Sequence, residues 1–389
     1  MKQSPGHSGA DKVGLGLGAS TVFLVLLLSA CSSTSERAKP TPLETIASPI
    51  EVRRVWDVEL GDSAGTFLRP SVLEHAIYAA AREGRLVRID PSSGKEVWRV
   101  QVSGGIEAGV GSDGLTVAVV GPRGNVQAYD AEGKALWQAQ APSDVLAPPL
   151  VGHDLVLVRS TDQRITAFEA ASGKRRWVFQ KQQPPLTLRA EADLALAGEN
   201  VLVGFPGGRL GSIALSNGAG RWEAAVSEPK GATEVERLAD VVGVPALLES
   251  EVCTASYQGR IGCFDSHNGD LRWAREFSAA TGVAASDDAV YGVDASSHIT
   301  GFKRASGASL WQNSALANRE LSAPVVVGNL LAIGDFEGRI HFLRAEDGKL
   351  VGRFDAGAGR VISTPQTWNG LVLLQTAHGH LILLSVGGR

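Results

Sequence analysis

Two of the three cysteines are placed to react with each other. Cys253 and Cys263 flank the segment "TASYQGRIG", in which Gln258 and Gly259 mark the turn of a predicted hairpin. Cysteines at mirror positions of a hairpin can join its strands by a disulfide in an oxidising compartment. Two buried thiols on neighbouring strands are the alternative, because spacing alone does not give the geometry of the bond. Cys253 and Cys263 are therefore a candidate disulfide.

The other reactive side chains do not form a catalytic or metal-binding motif. His378 and His380 would share one face of a strand and could supply two metal ligands, but no third ligand accompanies them. Asp287 and Asp288 lie in the turn "ASDDAVYG", where aspartate bonds to nearby backbone. No HExxH, CxxC or P-loop pattern occurs. We therefore predict no catalytic residue, no metal ion and no cofactor.

The first thirty residues have the pattern of an export signal. Lys2 and Lys12 precede an uncharged stretch, Val13 to Ala30, whose densest part is "TVFLVLLLSA". The ending "LLLSAC" resembles a bacterial lipobox, in which the chain is cut before Cys31 and this cysteine becomes the lipid-bearing N-terminus. Ser32, rather than aspartate, is typical of lipoproteins sorted to the outer membrane. A chance cysteine after an ordinary cleavage site is the alternative.

The residues after the cysteine differ in composition from the rest of the chain. Residues 32–50, "SSTSERAKPTPLETIASPI", are polar, contain proline and do not alternate. A coil of this length reaches about 25 Å. We predict a signal peptide at 1–30, lipidated Cys31 with a flexible tether at 31–50, and a folded body at 51–389. A permanent membrane span is disfavoured, because the apolar core of the signal is shorter than the roughly 20 residues that a helix needs.

The folded body is built from a repeat. In "GRLVRIDPSSGKEVW", residues 84–98, a tryptophan follows a glycine by four positions, and this pair recurs at 94/98, 133/137, 173/177, 218/222, 269/273 and 307/311. A seventh unit has Gly352 at the tryptophan position, and an eighth, from Gly379, stops before that position. Each unit spans about forty residues with four short strands, which is the pattern of a propeller blade. The tryptophans are expected to fill the wedge between neighbouring sheets.

The two ends of the repeat region complement each other. The eighth unit lacks its last strand, whereas "VRRVWDVEL" at residues 52–60 contains Trp56 with no repeat before it. The N-terminal strand is therefore expected to complete the C-terminal blade, which removes an exposed sheet edge. The predicted fold is all-β, an eight-bladed β-propeller of four-stranded antiparallel blades.

The repeat resembles the PQQ-type propeller repeat, and nearly the whole chain resembles the BamB family of outer-membrane lipoproteins. The resemblance includes the lipobox, the eight repeats, "LTLR" at 186–189 and "TEVERLAD" ending at Asp240. It implies membership of the Bam complex, a periplasmic position at the outer membrane, and docking to BamA through Leu186, Leu188, Arg189 and Asp240. The family often has a second acid two places after this aspartate, where this chain has Val242.

The repeat itself places the last two of these residues together. Arg189 and Asp240 stand nineteen residues before Gly208 and Gly259, so they occupy the same position in successive blades. The connections there are also long, with tryptophan spacings of 45 and 51 against 38 to 42 elsewhere. Long loops commonly carry function. The same offset predicts a rim with charges of both signs, from Asp144, Arg319 and Arg360. A solvated surface with a weak Arg189–Asp240 ion pair is the alternative.

Other functions are less compatible with the sequence. A quinoprotein dehydrogenase would need a bound quinone, calcium and an adjacent cysteine pair, but Cys253 and Cys263 are ten residues apart. A formal net charge of −4 with 20% charged residues predicts no basic groove and no nucleic-acid partner. A scaffold for another envelope complex is the remaining alternative. Unfolded outer-membrane proteins are a further partner, since exposed strand edges can pair with an extended chain.

Overall fold

The computed structural model describes residues 38–47, 49–182, 184–188 and 193–387. These residues form 33 β-strands and one short 3₁₀ helix, Pro122–Gly124. None of their helices has the length and apolar character that crossing a bilayer requires. The predicted signal peptide at 1–30 and Cys31 lie outside the described part of the chain.

The strands of the described residues form eight sheets, each of which is one blade. Blade 1 consists of β3 (Ser71–Val72), β4 (Ile77–Ala80), β5 (Arg85–Ile89) and β6 (Glu96–Gln101), and blade 2 of β7 (Ala108–Ser112), β8 (Thr116–Gly121), β9 (Asn125–Asp130) and β10 (Ala135–Gln140). Blade 3 consists of β11 (Leu150–Gly152), β12 (Leu155–Arg159), β13 (Ile165–Glu169) and β14 (Arg175–Phe179), and blade 4 of β15 (Leu194–Ala197), β16 (Asn200–Phe205), β17 (Arg209–Ala214) and β18 (Gly220–Ala225). Blade 2 has a fifth strand, β2 (Phe67–Leu68), which pairs parallel to β7.

Blades 5 to 8 follow the same plan. Blade 5 consists of β19 (Val241–Leu248), β20 (Glu251–Ser256), β21 (Gly259–Asp265) and β22 (Leu271–Phe277), and blade 6 of β23 (Ala284–Ala285), β24 (Ala289–Val293), β25 (Ile299–Lys303) and β26 (Ser309–Asn313). Blade 7 consists of β27 (Val325–Val327), β28 (Leu330–Gly334), β29 (Arg339–Arg344) and β30 (Leu350–Asp355), and blade 8 of β31 (Gln366–Trp368), β32 (Leu371–Gln375), β33 (His380–Val386) and β1 (Val52–Glu59). The fourth strand of blade 8 is thus the N-terminal strand of the body.

The blades form a closed ring. The first strand of each blade contacts the first strand of the next, from β3 through β31 and back to β3. β1 pairs antiparallel with β33 from Val52 opposite Val386 to Glu59 opposite His380. These first strands surround a central cavity of about 680 Å³. The predicted eight-bladed β-propeller and its closure by the N-terminal strand are both confirmed.

Each repeated tryptophan lies beneath a turn of the following blade. Trp137 of blade 2 donates its indole N–H to the Ala170 carbonyl in blade 3, at 2.6 Å. A Cβ on Gly173 would stand 2.5 Å from the ring of Trp137, and Gly173 has a φ of +70°. Only glycine meets both conditions, so the glycine of each repeat contacts the tryptophan of the preceding repeat across the boundary between blades. The pairs in contact are Trp56/Gly94, Trp98/Gly133, Trp137/Gly173, Trp177/Gly218, Trp222/Gly269, Trp273/Gly307 and Trp311/Gly348.

This contact explains the missing tryptophan of the seventh repeat. The third and fourth strands of blade 8 come from opposite ends of the chain, so no turn joins them. A tryptophan in blade 7 would therefore have no glycine of blade 8 above it. Gly352 stands there instead, and a Cβ on it would lie 2.7 Å from Cγ1 of Ile50.

The segment before β1 also belongs to the propeller. We call the described residues of 39–50 the strap. Thr41 N–H donates to Ala317 O at 3.0 Å and Ile50 N–H donates to Val351 O at 2.8 Å, so the strap lies along blades 6 and 7. The sequence predicted a flexible tether over this stretch, and the strap corrects that expectation. The division of the chain at residues 30 and 50 stays a prediction.

Candidate partner-binding surface

The two long connections of the repeat region lie side by side. Leu186 and Leu188 belong to the connection between β14 and β15, and Asp240 ends the connection between β18 and β19. The backbone N–H of Leu188 donates to Oδ2 of Asp240 at 2.7 Å. The expected neighbourhood of these connections is therefore present in the structure. Arg189 lies outside the described residues.

Asp240 is a buried connector. Asp240 is only 5% exposed, and the second oxygen of its carboxylate, Oδ1, accepts from Gly207 N–H at 3.1 Å. Its backbone carbonyl accepts from Tyr257 N–H at 2.9 Å. The carboxylate thus joins the Leu188 connection to the hairpin of blade 4. This corrects the expectation that Asp240 presents its charge at the surface, because both oxygens are already engaged by backbone donors.

The two leucines have different environments. Leu188 is partly buried and packs against the core cluster of blade 5. Leu186 is 41% exposed. Val235, in the neighbouring long connection, is 60% exposed. Leu188 therefore anchors its connection, and Leu186 and Val235 offer the apolar side chains that a partner could cover.

The connection that contains Val235 has internal structure. The carboxylate of Glu236 accepts from the backbone N–H groups of Ala232, at 2.7 Å, and Thr233, at 3.0 Å. Thr233 Oγ1 accepts in return from Glu236 N–H at 3.3 Å, which is a reciprocal capping arrangement. Hydrogen bonds from Thr233 and Ala232 lower the pKa of Glu236 from its ordinary value. The loop is thus preformed, which lowers the entropy cost of binding through it.

A buried cation lies behind this surface. Arg159 is 8% exposed and its Nε donates to Oε1 of Gln163 at 3.1 Å. Burial lowers the pKa of Arg159 to about 10, against the opposing attraction of Asp193 and Asp240. A cavity of about 60 Å³ lies here, with Arg159, Leu188 and Asp240 among its lining residues. The attraction of these two carboxylates favours the charged form of Arg159.

The other rim positions share the backbone geometry but not the exposure. The backbone hydrogen bond from Tyr257 N–H to Asp240 O has counterparts in other blades, which confirms that these positions are equivalent. In the counterparts, the N–H groups of Thr161, Phe336 and Ala377 donate to the carbonyl oxygens of Asp144, Arg319 and Arg360, respectively. Arg319, however, is 3% exposed and forms an ion pair with Asp335 at 2.7 Å. The predicted rim of exposed charges is therefore wrong at Arg319, whereas Arg360 is exposed as expected.

Cys253 and Cys263 are disulfide-bonded. They stand directly opposite each other on β20 and β21, and both are fully buried. The bond therefore lies in the core of blade 5, beneath the surface that contains Val235.

The histidines near the C-terminus do not share a metal site. His380 lies on β33 and its Nδ1 is 2.8 Å from Oδ1 of Asp57, while His378 lies in the preceding turn against Gly359. Among the described residues no group of three or more His, Cys, Asp or Glu side chains could hold a metal ion.

The segment "GDSAG" at 61–65 matches the G-x-S-x-G pattern of serine hydrolases. Ser63 is fully buried, its hydroxyl donates to Gly61 O at 3.3 Å, and it accepts from Gln375 Nε2 at 3.2 Å. A serine nucleophile needs an adjacent base and access to substrate. Ser63 instead ties the start of blade 1 to blade 8.

The fold and these contacts define the class of protein: an eight-bladed β-propeller locked by glycine–tryptophan pairs, with two enlarged connections on one rim. The family model described as "Outer membrane protein assembly factor BamB" matches residues 82–313 and 295–387. The protein of that name from Bordetella pertussis is 42% identical over 371 residues, which is 94% of this chain and 96% of the relative.

Two further similarities agree. The protein of that name from Burkholderia pseudomallei is 37% identical over 357 residues, covering 91% of this chain and 94% of the relative. The crystal structure of BamB from Moraxella catarrhalis has a TM-score of 0.79 at 27% identity, covering 86% of this chain and 100% of that one. The chain belongs to the BamB family.

Proposed function

We propose that this protein is a non-catalytic scaffold lipoprotein that acts in the assembly of outer-membrane proteins. Membership of a family whose members are named outer-membrane protein assembly factors supports this role. The body would be held at the periplasmic face of the outer membrane by lipid on Cys31, after removal of residues 1–30. This position agrees with the oxidised pair Cys253–Cys263.

The partner in this proposal is BamA, within the Bam complex. The observation that carries it is the pairing of the two long connections through Leu188 N–H and Asp240. Leu186, on a connection anchored by Leu188 and followed by Arg189, would present an apolar contact next to a cation. Such a surface fits a partner that offers an apolar edge and a carboxylate, because arginine binds carboxylates with two parallel hydrogen bonds.

Co-purification from detergent-solubilised outer membranes tests the proposal. We expect wild-type protein to recover BamA, and Leu186→Asp to reduce that recovery about tenfold, since a buried hot-spot side chain contributes about 1–2 kcal/mol or more. Leu115→Asp is the matched control, because Leu115 is 76% exposed and lies away from the two connections. Recovery of another envelope complex in place of the barrel-assembly subunits would reject the proposal in favour of the alternative scaffold.

A further inference from the structure

The strap begins on the rim of the propeller. Asn318 Nδ2 donates to Lys39 O at 3.2 Å, and Thr41 N–H donates to Ala317 O. The guanidinium of Arg319 donates to Thr41 O at 3.4 Å. All three contacts come from the connection between blades 6 and 7. Within the described residues, the strap therefore starts at this connection.

The rest of the strap is held along blade 7. Arg353 Nη1 donates to Glu44 O at 3.3 Å. Leu43 packs against the apolar cluster of blades 6 and 7, and Ile50 packs in the cluster of blades 7 and 8, over Gly352. Two apolar side chains and several backbone bonds thus fix the path of the strap.

The cations that hold the strap are themselves fixed in the core. Asp335 is 1% exposed and accepts from Arg319 Nε at 2.9 Å and from His341 Nε2 at 2.9 Å. Arg353 Nε donates to Nδ1 of His341 at 3.3 Å. Three buried side chains and the partly buried Arg353 therefore form the network on which Thr41 and Glu44 rest.

The position of this connection in the ring is known from the repeat. Arg319 occupies the same repeat position as Asp240, so the start of the strap and the partner-binding surface lie on the same face of the ring. In a ring of eight blades, the connection after blade 6 is opposite the connection after blade 2, which contains Asp144. The partner-binding connections, after blades 3 and 4, are three and two blades away.

Only seven residues separate Cys31 from Lys39. Fully extended, this link spans at most about 28 Å, and as a coil about 15 Å. The link between Cys31 and the strap is therefore much shorter than the stretch 32–50. A short link attached at one connection can hold only that side of the propeller next to the bilayer.

We propose that the strap makes the rim between blades 6 and 7 the surface apposed to the lipid bilayer, with the opposite rim at Asp144 turned away from it. This inference rests on the proposed lipidation of Cys31. It places the partner-binding connections away from the membrane contact, where a partner can reach them without displacing lipid.

Fluorescence quenching tests this orientation. Full-length lipidated protein would be reconstituted in phosphatidylethanolamine–phosphatidylglycerol vesicles that contain nitroxide-labelled lipid. A thiol-reactive fluorophore would be attached at Arg360→Cys, one connection from the start of the strap, or at Asp144→Cys, the matched position on the far side. The native cysteines do not interfere, because Cys253 and Cys263 are buried in a disulfide. We expect about twofold or greater excess quenching at position 360, since the short link holds one rim near the lipid.

Two variants separate the strap from other causes. Leu43→Asp with Ile50→Asp should release the strap and equalise the two labels. An insertion of about 20 glycine and serine residues between Arg37 and Ala38 leaves the strap intact and should also reduce the difference, because it lengthens the free link. Equal quenching at both positions in the unmodified protein would overturn the inference. Absence of palmitate from Cys31 in labelled cells would instead overturn the proposed anchoring.

Discussion

Replacement of Asp240 distinguishes a connector from a contact residue. The carboxylate accepts from two partly buried backbone donors, Leu188 N–H and Gly207 N–H. Asp240→Ala leaves both donors without a partner, and each such loss costs about 1–3 kcal/mol. The expected decrease in the free energy of unfolding is therefore about 2–6 kcal/mol. A residue that only touches a partner would leave the stability of the isolated protein unchanged.

The size of the change in melting temperature follows from the length of the domain. Unfolding entropy of about 2.1 cal/mol/K per residue gives about 0.7 kcal/mol/K for a propeller of this size. Asp240→Ala should thus lower the melting temperature by about 3–9 °C. Asp144→Ala is the matched control, because it occupies the same repeat position and its side chain makes no hydrogen bond within the described residues.

Hydrogen exchange locates the effect. In Asp240→Ala the amides of Leu188 and Gly207 should lose protection, while the amide of Tyr257, which bonds to the backbone carbonyl of residue 240, should keep it. Unchanged melting temperature and unchanged exchange at Leu188 would refute the connector role. Weaker partner recovery with unchanged stability would show that Asp240 acts at the interface itself.

Three further predictions concern the fold. Gly173→Ala should lower the melting temperature far more than Gly198→Ala: both glycines have positive φ, but only Gly173 packs on a tryptophan, and no atom lies within 4 Å of a Cβ on Gly198. Burial raises the pKa of Asp335, but hydrogen bonds from His341, Arg339 and Arg319 outweigh it and lower the pKa to about 2. Its folded-state value lies below the unfolded value, so about 2 kcal/mol of stability should be present above pH 4 and be lost as the pH falls towards 2, and Asp335→Asn should remove this dependence in acid titrations. Cys253 and its partner should resist reductant until the propeller unfolds, because both sulfurs are buried; rapid thiol labelling of the folded protein after mild reduction would contradict this.

The ring could be predicted because its contacts repeat. A glycine with positive φ contacts a tryptophan of the preceding blade at seven of the eight boundaries between blades. Because each blade supplies both residues, the sequence displays them four positions apart in six repeats. The exception at Gly352 was visible in the sequence as well, but its reason was not. The reason depends on the absence of a turn in blade 8, which follows from closure by β1.

The strap could not be predicted from its side-chain pattern. Three of its contacts are made by the backbone carbonyls of Lys39, Thr41 and Glu44, which every residue type offers. Leu43 and Ile50 contribute apolar packing, but a single pair of residues is too few to define a strand or helix period. Proline and polar residues therefore gave this stretch the composition of a linker, although its backbone is held by the propeller.

Burial of Asp240 escaped prediction for a related reason. An aspartate at the end of a long connection commonly faces solvent, and its repeat position gave no information about the side chain. Its direction is set by the neighbouring connection, whose backbone N–H at Leu188 lies within hydrogen-bonding distance. The sequence predicted Arg189 and Asp240 side by side, but the buried connector appears only when the donors of both loops are located.

The glycine–tryptophan contacts and the connections between blades lie on opposite faces of the ring. Antiparallel strands put the glycine turn, between the third and fourth strands of a blade, at one face, and the connections between blades at the other. Trp177 and Trp222 keep their contacts with Gly218 and Gly269, although the connections beside them are the longest. Closure of the ring therefore places no limit on the length of a connection. This separation allows the connecting face to hold both a strap that fixes the N-terminus and a paired surface for a partner, without loss of the contacts that stabilise the propeller.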